Sequence, residues 1–306
     1  MPRWIEETFH PHWRVRLEAS KVLHEVKTQH QHLVIFQNAT WGIVLMLDGV
    51  CQLTTCDEFV YHEMMAHVPL MALAQPARVL VVGGGDGGVL REVLKHPTVA
   101  KATLCEIDRA VIDLSLQHYP QIAGGAFDDP RADVVIADGL QYVAATREKF
   151  DAIIVDSSEP IGPSAVLHTR EFFTDCKRAL KKGGVLVTQN GLPFLFPEHL
   201  RATSEIFASL FRATSPYLCT QPCYFGGPFA LNWASDDAGL LEVPETMLSR
   251  RTAKRRMTAR YYTPAVHRAA FALPGYVSEA VAGLPRRRAG GKRAATGAPA
   301  RSARRR

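Results

Sequence analysis

The sequence lacks any long hydrophobic segment and any hydrophobic leader at its N-terminus. No apolar run in the 306 residues approaches the roughly 20 that are needed to cross a bilayer. The N-terminal stretch MPRWIEETFH carries charges and no apolar core, unlike a secretory signal peptide. With 47% hydrophobic and 22% charged residues, the composition is typical of a globular protein with a sizeable core. We therefore expect a cytoplasmic protein that makes no membrane contact.

Cysteine pairs at metal-binding or redox spacings are absent as well. The six cysteines are scattered, no C-x-x-C occurs, and the twelve histidines show no spacing typical of metal ligands. The sequence therefore predicts free, buried thiols in a reducing compartment rather than a disulfide framework. It also predicts no bound metal ion.

Acidic residues are missing from the C-terminal segment 286–306, which contains nine basic residues. Subtracting these nine charges from the net charge of +6 leaves −3 for residues 1–285. A mildly acidic folded part suits a protein that handles cationic small molecules. The segment itself is rich in Arg, Ala and Gly and is predicted to be a disordered basic tail. A solvated tail without a specific partner is favoured over one that contacts nucleic acid through its arginines.

Residues 1–55 are predicted to form a small β domain. Apolar runs typical of strands occur at 33–36 and 43–47. Asp48-Gly49 follows the second run directly and is a two-residue hairpin signal. The domain is therefore expected to contain antiparallel strands.

A helix is predicted to follow this β domain. The spacing Thr55-x-x-Glu58 indicates a capping box, in which two side chains satisfy the first free amides of a helix. The helix is expected to run to about Pro69 and to carry Tyr61 and His62.

Beyond residue 77 the predicted strands and helices alternate, which is typical of a parallel α/β sheet. Strands are predicted near 79–82, 102–106, 133–136, 152–155, 185–189, 213–219 and 229–234. Helices are predicted near 87–95, 108–118, 139–146, 171–181 and 197–211. The predicted fold class is α/β, a doubly wound, mostly parallel seven-stranded sheet of the Rossmann-like, class I adenosyl-methionine type. Residues 56–285 are assigned to this domain, whose ligands bind at the carboxyl ends of the strands.

A glycine-rich loop follows the first strand of this sheet. Gly83, Gly85 and Gly88 have the spacing G-x-G-x-x-G, and Glu106 ends the next strand about 20 residues further on. Such a loop lets backbone amides approach a ligand, and such an acid accepts hydrogen bonds from ribose hydroxyls. Nicotinamide, flavin and adenosyl-methionine proteins all use this pattern. Asp86 inside the loop argues against a pyrophosphate and for a cationic ligand, because like charges repel.

Acidic residues also follow the next two strands. Asp138 comes after the third strand and Asp156 after the fourth, and Glu159 lies three residues further on. The carboxyl ends of these strands converge on one crevice. Together with Asp86 and Glu106, the three acids therefore predict a pocket that suits a polycation.

These motifs resemble those of the spermidine synthases, the polyamine aminopropyltransferase family, and especially of its bacterial members. The resemblance covers roughly residues 4–280. It rests on LMLDGVCQLTTCDEFVYHEMMAHVPL at 45–70, VVGGGDGGVLREVLKHPTV at 81–99, CEID at 105–108, DSSEPIGPS at 156–164 and PCYFGG at 222–227. The two prolines of DSSEPIGPS predict a stiff loop that covers the crevice. Together, the glycine loop and DSSEPIGPS are far more specific than the glycine loop alone.

The resemblance implies a reaction. An aminopropyl group would pass from decarboxylated S-adenosylmethionine, a co-substrate, to putrescine, giving spermidine and 5′-methylthioadenosine. No metal or other cofactor is implied, because the sulfonium carbon is already activated. The attacking amine must lose a proton first, since an alkylammonium has a pKa of roughly 10, and a positioned carboxylate can accept that proton. The resemblance also suggests a homodimer or a homotetramer.

The resemblance further assigns roles to residues of this sequence. Asp156 corresponds to the family's proton acceptor. The positions that match the donor site are Gln31, Asp86, Glu106, Asp138, Gly139 and Pro163. The positions that match the amine site are Tyr61, His62, Asp86, Asp156, Ser157, Ser158, Glu159, Gln189 and Tyr224. Aspartate is commoner than glutamate at position 159 in the family, which leaves the length of the amine acceptor open.

Two other functions share parts of this pattern. An S-adenosylmethionine-dependent methyltransferase would use the glycine loop and Glu106, but it gives no reason for Asp86 or for the acids at Asp156 and Glu159. A non-catalytic polyamine-binding protein would keep the acidic pocket without needing a nucleoside site or a base. Release of methylthioadenosine separates the three possibilities. The acceptor itself, whether putrescine, cadaverine or a longer amine, stays open.

Overall fold

The structure is a computed structural model that describes residues 3–158 and 162–284. The predicted basic tail and Glu159 lie outside these residues, and the side chain of Pro163 is also outside the description. Within the described ranges, no helix is both long enough and apolar enough to span a membrane.

The N-terminal part consists of two small antiparallel sheets. Their strands are β1 Arg3–Glu7, β2 Val15–Ala19, β3 Lys21–Lys27, β4 His32–Asn38, β5 Gly42–Leu47 and β6 Val50–Thr54. β1 pairs with β2, and β3 to β6 pair in chain order. Asp48 and Gly49 have φ angles of 48° and 79°, and this left-handed backbone is what a tight two-residue hairpin requires. The predicted small β domain and its hairpin are confirmed.

Helix α1, Glu58–Ala72, begins without the predicted capping box. The Thr55 hydroxyl accepts a hydrogen bond from the backbone amide of Ile43 in β5, at 3.0 Å. The Glu58 carboxylate turns toward His62, one helical turn further on. The spacing was right for a cap, but both side chains are engaged with these other partners, so this prediction is wrong.

The same helix extends three residues past Pro69, where the sequence predicted its end, and stops at Ala72. Proline removes one amide donor, yet the carbonyls near the helix C-terminus find other donors. Arg251 donates to the carbonyls of Met71 and Ala72. Arg255 donates to those of Leu70, Leu73 and Ala74. These two arginines cap the helix and allow it to extend beyond the proline.

The large sheet has seven strands in the order β12-β13-β11-β10-β7-β8-β9. They are β7 Arg78–Gly83, β8 Lys101–Glu106, β9 Ala132–Ile136, β10 Phe150–Asp156, β11 Leu180–Gln189, β12 Ala213–Cys219 and β13 Phe229–Ser235. The strands β7 to β11 run parallel to one another, and β13 is antiparallel to both of its neighbours, β11 and β12. The predicted α/β fold with a mostly parallel seven-stranded sheet is confirmed.

Helices cover this sheet. In the described residues they are α2 Gly88–Leu94, α3 Arg109–His118, α4 Gly139–Ala145, α5 Arg170–Ala179, α6 Pro197–Leu210, α7 Glu245–Lys254, α8 Pro264–Ala270 and α9 Gly275–Ala280. Alternate residues of β7 point to opposite faces of the sheet: Val79 and Val81 join one buried cluster with α1 and α2, and Leu80 and Val82 join another with α5. Because both faces are buried, the central strands read as continuous apolar runs.

The chain order places a ligand site beside β7. From β7 the chain moves outward through β8 and β9, and it then returns to β10 on the other side of β7. Asp156 at the end of β10 lies in register with Gly83 at the end of β7. Such a reversal opens a crevice at the carboxyl ends of the strands, which is where doubly wound sheets bind ligands.

Candidate active site

A cavity of about 340 Å³ lies at the carboxyl ends of β7, β8 and β10. Its lining includes every predicted site residue whose side chain the structure describes: Gln31, Tyr61, His62, Asp86, Glu106, Asp138, Gly139, Asp156, Ser157, Ser158, Gln189 and Tyr224. The strand-end rule predicted the acids of this set, and the family resemblance supplied the others, which lie up to 193 positions apart in the sequence, from Gln31 to Tyr224. Glu159 and the side chain of Pro163 are not described.

The glycine loop passes directly over Asp156. Gly83 and Gly84 have φ angles of 82° and 72°. A Cβ atom at Gly83 would lie 2.1 Å from the backbone oxygen of Asp156, and one at Gly84 would lie 2.5 Å from its Oδ2 atom. Only glycine allows this approach. The loop backbone therefore lies directly against Asp156.

The third glycine of the motif makes room for a side chain. A Cβ atom at Gly88 would lie 2.2 Å from atoms of the His62 imidazole. The ring occupies this space with Nδ1 2.5 Å from Oε2 of Glu58 and Nε2 3.4 Å from Oδ1 of Asp86. Asp86 Oδ1 also accepts a hydrogen bond from the Gly88 amide at 2.7 Å. The His62 ring is thus held between the carboxylates of Glu58 and Asp86, next to Gly88 at the start of α2.

The charges around His62 favour its protonated form. Burial alone would lower its pKa, but the carboxylates of Asp86 and Glu58 raise the pKa of His62 to about 9. Burial conversely raises the pKa of Glu58, but His62 and Arg91 outweigh it and bring that pKa down to about 2. Near neutral pH the pair is therefore an ion pair, with Glu58 negative and His62 positive.

Asp156 has one oxygen in a hydrogen bond and one without such a partner among the described residues. The Tyr61 hydroxyl donates to Oδ1 at 2.7 Å, and Oδ2 is buried with no hydrogen bond. Burial, followed by the charge of Asp86, raises the pKa of Asp156 to about 6, against the opposing effect of His62 and Tyr61. A carboxylate with a raised pKa and an unused oxygen is a suitable proton acceptor near neutral pH.

Aromatic rings form one wall of the cavity beside Asp156. The ring centroids of Tyr61 and Tyr224 lie 6.2 Å apart, and Phe229 lies 5.7 Å from Tyr61 and 5.0 Å from Tyr224. The Tyr224 hydroxyl donates to the backbone oxygen of Gln52 at 2.6 Å. This bond connects β6 of the N-terminal part to the cavity wall. The ring faces offer an apolar surface of the kind that packs against methylene groups.

Glu106 occupies the opposite side of the cavity, in a different environment. Its Oε2 atom accepts a hydrogen bond from the Gly85 amide at 3.1 Å, and Oε1 accepts one from the Asp108 amide at 2.9 Å. Burial raises the pKa of Glu106 to about 7, against these two amide bonds, which lower it. The backbone thus fixes the carboxylate, and its other lone pairs are left for ligand hydroxyls.

Further residues shape this side of the cavity. The Gln31 amide nitrogen donates to Oδ2 of Asp108 at 3.1 Å. Asp138 caps α4 by accepting from the Leu140 amide at 2.8 Å. A Cβ atom at Gly139 would lie 2.5 Å from Cγ1 of Val82, so only glycine lets α4 approach β7 this closely.

Gln189 holds the backbone that follows Asp156. Its amide nitrogen donates to the backbone oxygen of Ser158 at 2.9 Å, and its amide oxygen accepts from the Gly191 amide at 2.9 Å. The Ser157 hydroxyl lies 3.3 Å from Nε2 of His168. Gln189 lines the cavity as predicted, but its polar atoms are engaged with the backbone. We infer that it positions the loop rather than binding a ligand directly.

The sequence analysis did not connect Glu58 with this site and gave it a cap instead. The spacing of Glu58 and His62, four residues apart on a helix, was an available signal, because such side chains are neighbours. In the described ranges, no group of three or more His, Cys, Asp or Glu side chains is arranged to hold a metal ion.

The fold and the site together define a Rossmann-like protein with an acidic pocket beside a glycine loop. Residues 58–242 match the family model of the spermine/spermidine synthase domain, and residues 3–55 match that of the spermidine synthase tetramerisation domain. The chain therefore belongs to the spermine/spermidine synthase family, as the motifs of the sequence indicated.

Curated relatives and solved structures agree with this assignment. The chain is 48% identical over 276 residues to the polyamine aminopropyltransferase of Ruegeria sp. (strain TM1040), covering 90% of this chain and 97% of the relative. It is 47% identical to polyamine aminopropyltransferase 1 of Pseudomonas aeruginosa, covering 90% and 96%. A spermidine synthase solved in complex with the transition-state analogue AdoDATO superposes with a TM-score of 0.86 at 36% identity, covering 92% of this chain and 96% of the other.

Proposed function

We propose that this chain is a spermidine synthase that transfers the aminopropyl group of decarboxylated S-adenosylmethionine to putrescine. The products are spermidine and 5′-methylthioadenosine. The observation that carries the proposal is the environment of Asp156: a buried, unused oxygen, a Tyr61 hydroxyl on the other oxygen, and a raised pKa. Relatives named polyamine aminopropyltransferase that cover 90% of the chain support the same reaction.

In the proposed mechanism, Asp156 accepts the proton that the attacking amine loses. The amine nitrogen forms a bond to the sulfonium-linked methylene carbon, and the carbon–sulfur bond breaks with its electron pair passing to sulfur. Tyr61 holds one oxygen of the Asp156 carboxylate, and the residue lines the cavity. The positive charge of the donor lowers the pKa of a nearby ammonium, which assists the proton transfer.

The remaining residues divide into two groups. Glu106 is assigned to the ribose hydroxyls of the donor, with Gln31, Asp138 and Gly139 around the nucleoside. Asp86 is assigned to the ammonium groups, and the rings of Tyr61 and Tyr224 to the methylenes of the diamine. The acidic pair Asp86 and Asp156 favours this reaction over methyl transfer, which has no need of two carboxylates near a cationic acceptor.

A direct assay tests the proposal. The protein is incubated with decarboxylated S-adenosylmethionine and putrescine, cadaverine or spermidine, and both products are quantified by mass spectrometry. We expect methylthioadenosine release that requires an amine, is fastest with putrescine, and equals the spermidine formed. Methyl transfer from S-adenosylmethionine, or amine binding without turnover, would instead support the two alternative functions.

We also propose that residues 3–55 assemble the chain into a homo-oligomer, either a dimer or a tetramer. These residues match the tetramerisation domain model, and they form the two small sheets. Trp4 in β1 is 47% exposed, which suits an interface residue. Light scattering on the full chain, compared with Trp4→Glu, tests this proposal. A monomeric wild-type protein would contradict it.

A further inference from the structure

Glu58 is a buried acid next to the cavity that the proposed mechanism does not use. It lies in the first turn of α1, with Oε2 2.5 Å from Nδ1 of His62. Arg91 from α2 binds the same carboxylate, with Nη2 2.9 Å from Oε2 and Nη1 3.2 Å from Oε1. Glu58 is therefore fixed from two sides, and one of its oxygens is directed at the imidazole.

The two nitrogens of the His62 ring face two different carboxylates. Nδ1 faces Glu58, and Nε2 faces Oδ1 of Asp86 at 3.4 Å. A neutral imidazole carries one N–H and one lone pair, so one of its nitrogens would direct a lone pair at a carboxylate. Only the imidazolium form donates to both. The geometry therefore favours an N–H group on each nitrogen of this ring.

The surroundings of His62 supply the counter-charges for this form. Glu58 lies on its own helix, Asp86 lies in the glycine loop, and Asp156 lies at the end of β10. Arg91 is the opposing cation on α2, and it is neutralised by its bonds to Glu58. The pKa of His62, raised to about 9 by Asp86 and Glu58 despite burial, agrees with this arrangement.

We propose that Glu58 is a positioning residue that keeps His62 as an imidazolium, and that this imidazolium orients Asp86 for the ammonium group of the substrate. The proposal rests on the proposed function, and it changes one assignment made from the resemblance. A protonated His62 repels a cationic amine, so its part in the amine site is to hold Asp86. The amine contact belongs to the carboxylate.

The first test measures the protonation state of His62 and does not depend on catalytic turnover. Nitrogen-15 spectra of histidine-labelled protein distinguish an imidazolium from either neutral tautomer, and His62→Gln identifies the signal. In the wild type, we expect both ring nitrogens to be protonated at pH 8. In Glu58→Gln, the deprotonation midpoint should fall by about one pH unit or more, because a charge is lost while the shape is kept.

A matched control accounts for effects on stability. Glu63 is a buried acid on the same helix, and it accepts hydrogen bonds from the amides of Arg260, Tyr261 and Tyr262. Glu63→Gln should destabilise the fold without changing the titration of His62. If Glu58→Gln does not fold, the wild-type titration still decides, since a neutral His62 at pH 8 overturns the proposal.

The second test measures how the pH dependence of kcat/KM changes when Glu58 is replaced. Between pH 6 and pH 8.5, kcat/KM of Glu58→Gln for the decarboxylated donor should fall at least about threefold more than that of the wild type, because a midpoint one unit lower discharges most of its imidazole in that range. The loss should appear mainly in KM. A purely structural role would lower activity equally at all pH values, and that result would overturn the proposal. An inactive wild type with a charged His62 would contradict the proposed function alone.

Discussion

Glu106 ends β8 and Asp156 ends β10, the two strands on either side of β7. Both residues line the same cavity, and burial raises the pKa of both. Their partners differ. Backbone amides of Gly85 and Asp108 hold the two oxygens of Glu106. Asp156 has a single side-chain partner, Tyr61, and one oxygen without a hydrogen bond among the described residues.

This contrast separates a binding end of the cavity from a chemical end. An acid fixed by the backbone has a defined direction, which suits the recognition of a ligand's hydroxyl groups. A carboxylate with a buried oxygen that accepts no hydrogen bond is destabilised, and accepting a proton on that oxygen relieves this cost. The comparison therefore predicts that changes at the Asp156 end affect turnover, and that changes at the Glu106 end affect donor binding.

The largest effect is expected for Asp156→Asn. The amide keeps the shape but cannot accept a proton, and loss of a general base costs roughly 10²–10⁴-fold in rate. Steady-state kinetics should show this loss in kcat, while calorimetry shows both ligands binding nearly as before. Asp133→Asn, a half-exposed acid on β9 that pairs with Lys101 at 2.8 Å, is the control. Turnover above about a third of wild type with unchanged affinities would exclude Asp156 as the base.

The next effect concerns the choice between donors. S-adenosylmethionine differs from its decarboxylated form by one carboxylate next to the terminal ammonium. Asp86 should pair with the ammonium and repel that carboxylate. Losing one member of such a pair costs about 2–5 kcal/mol, so Asp86→Asn should bind the decarboxylated donor much more weakly.

The same variant should change the affinity for S-adenosylmethionine much less, or improve it. Calorimetric titration of both donors into wild type and Asp86→Asn measures the difference. Equal losses for the two donors would leave Asp86 with a structural role only. Its hydrogen bond from the Gly88 amide would then be its main contribution.

Much of this architecture was predictable from the sequence because the central strands are buried on both faces. Continuous apolar runs flanked by glycines and acids mark such strands clearly. The predicted strand at 213–219 coincides with β12, and that at 229–234 ends one residue before β13 does. The strand-end rule then brought the acids together without any structural information.

The sequence did not reveal the elements whose signals are weak or whose partners are distant. β1, RWIEE, is largely exposed and β3, KVLHEVK, has no fully buried residue, and both carry charges, so they lack the apolar pattern of a strand. The bond between Tyr61 and Asp156 joins residues 95 positions apart, and no local pattern encodes it. At Glu58, local spacing suggested a cap, but the side chain instead contacts His62 one turn further along the same helix and Arg91 of α2.

A smaller loss is expected for Gly88→Ala, which tests the space reserved for His62. The added Cβ atom would lie 2.2 Å from the ring, so the imidazole must move. Overpacking of this kind costs about 1–3 kcal/mol, and we expect roughly a 10- to 100-fold fall in kcat/KM. Gly275→Ala, at the start of α9 with no atom within 4 Å of its Cβ position, is the matched control. Equal activity of the two variants would show that the position of His62 does not matter.

The smallest expected effect is the release of a fraction of a proton when a ligand binds, and it tests the Glu106 end of the cavity directly. With a pKa of about 7, Glu106 is partly protonated at pH 7 in the free protein. Ribose hydroxyls that donate to the carboxylate favour its ionised form and lower that pKa, so binding must release protons. We expect up to about half a proton released per methylthioadenosine bound at pH 7. Calorimetry in two buffers of different ionisation enthalpy measures this number.

Glu106→Gln should bind methylthioadenosine more weakly and release almost no protons. Proton uptake by the wild type, or an equal release by the variant, would show that the ribose does not contact Glu106, and the distinction between the two ends would then lose its basis.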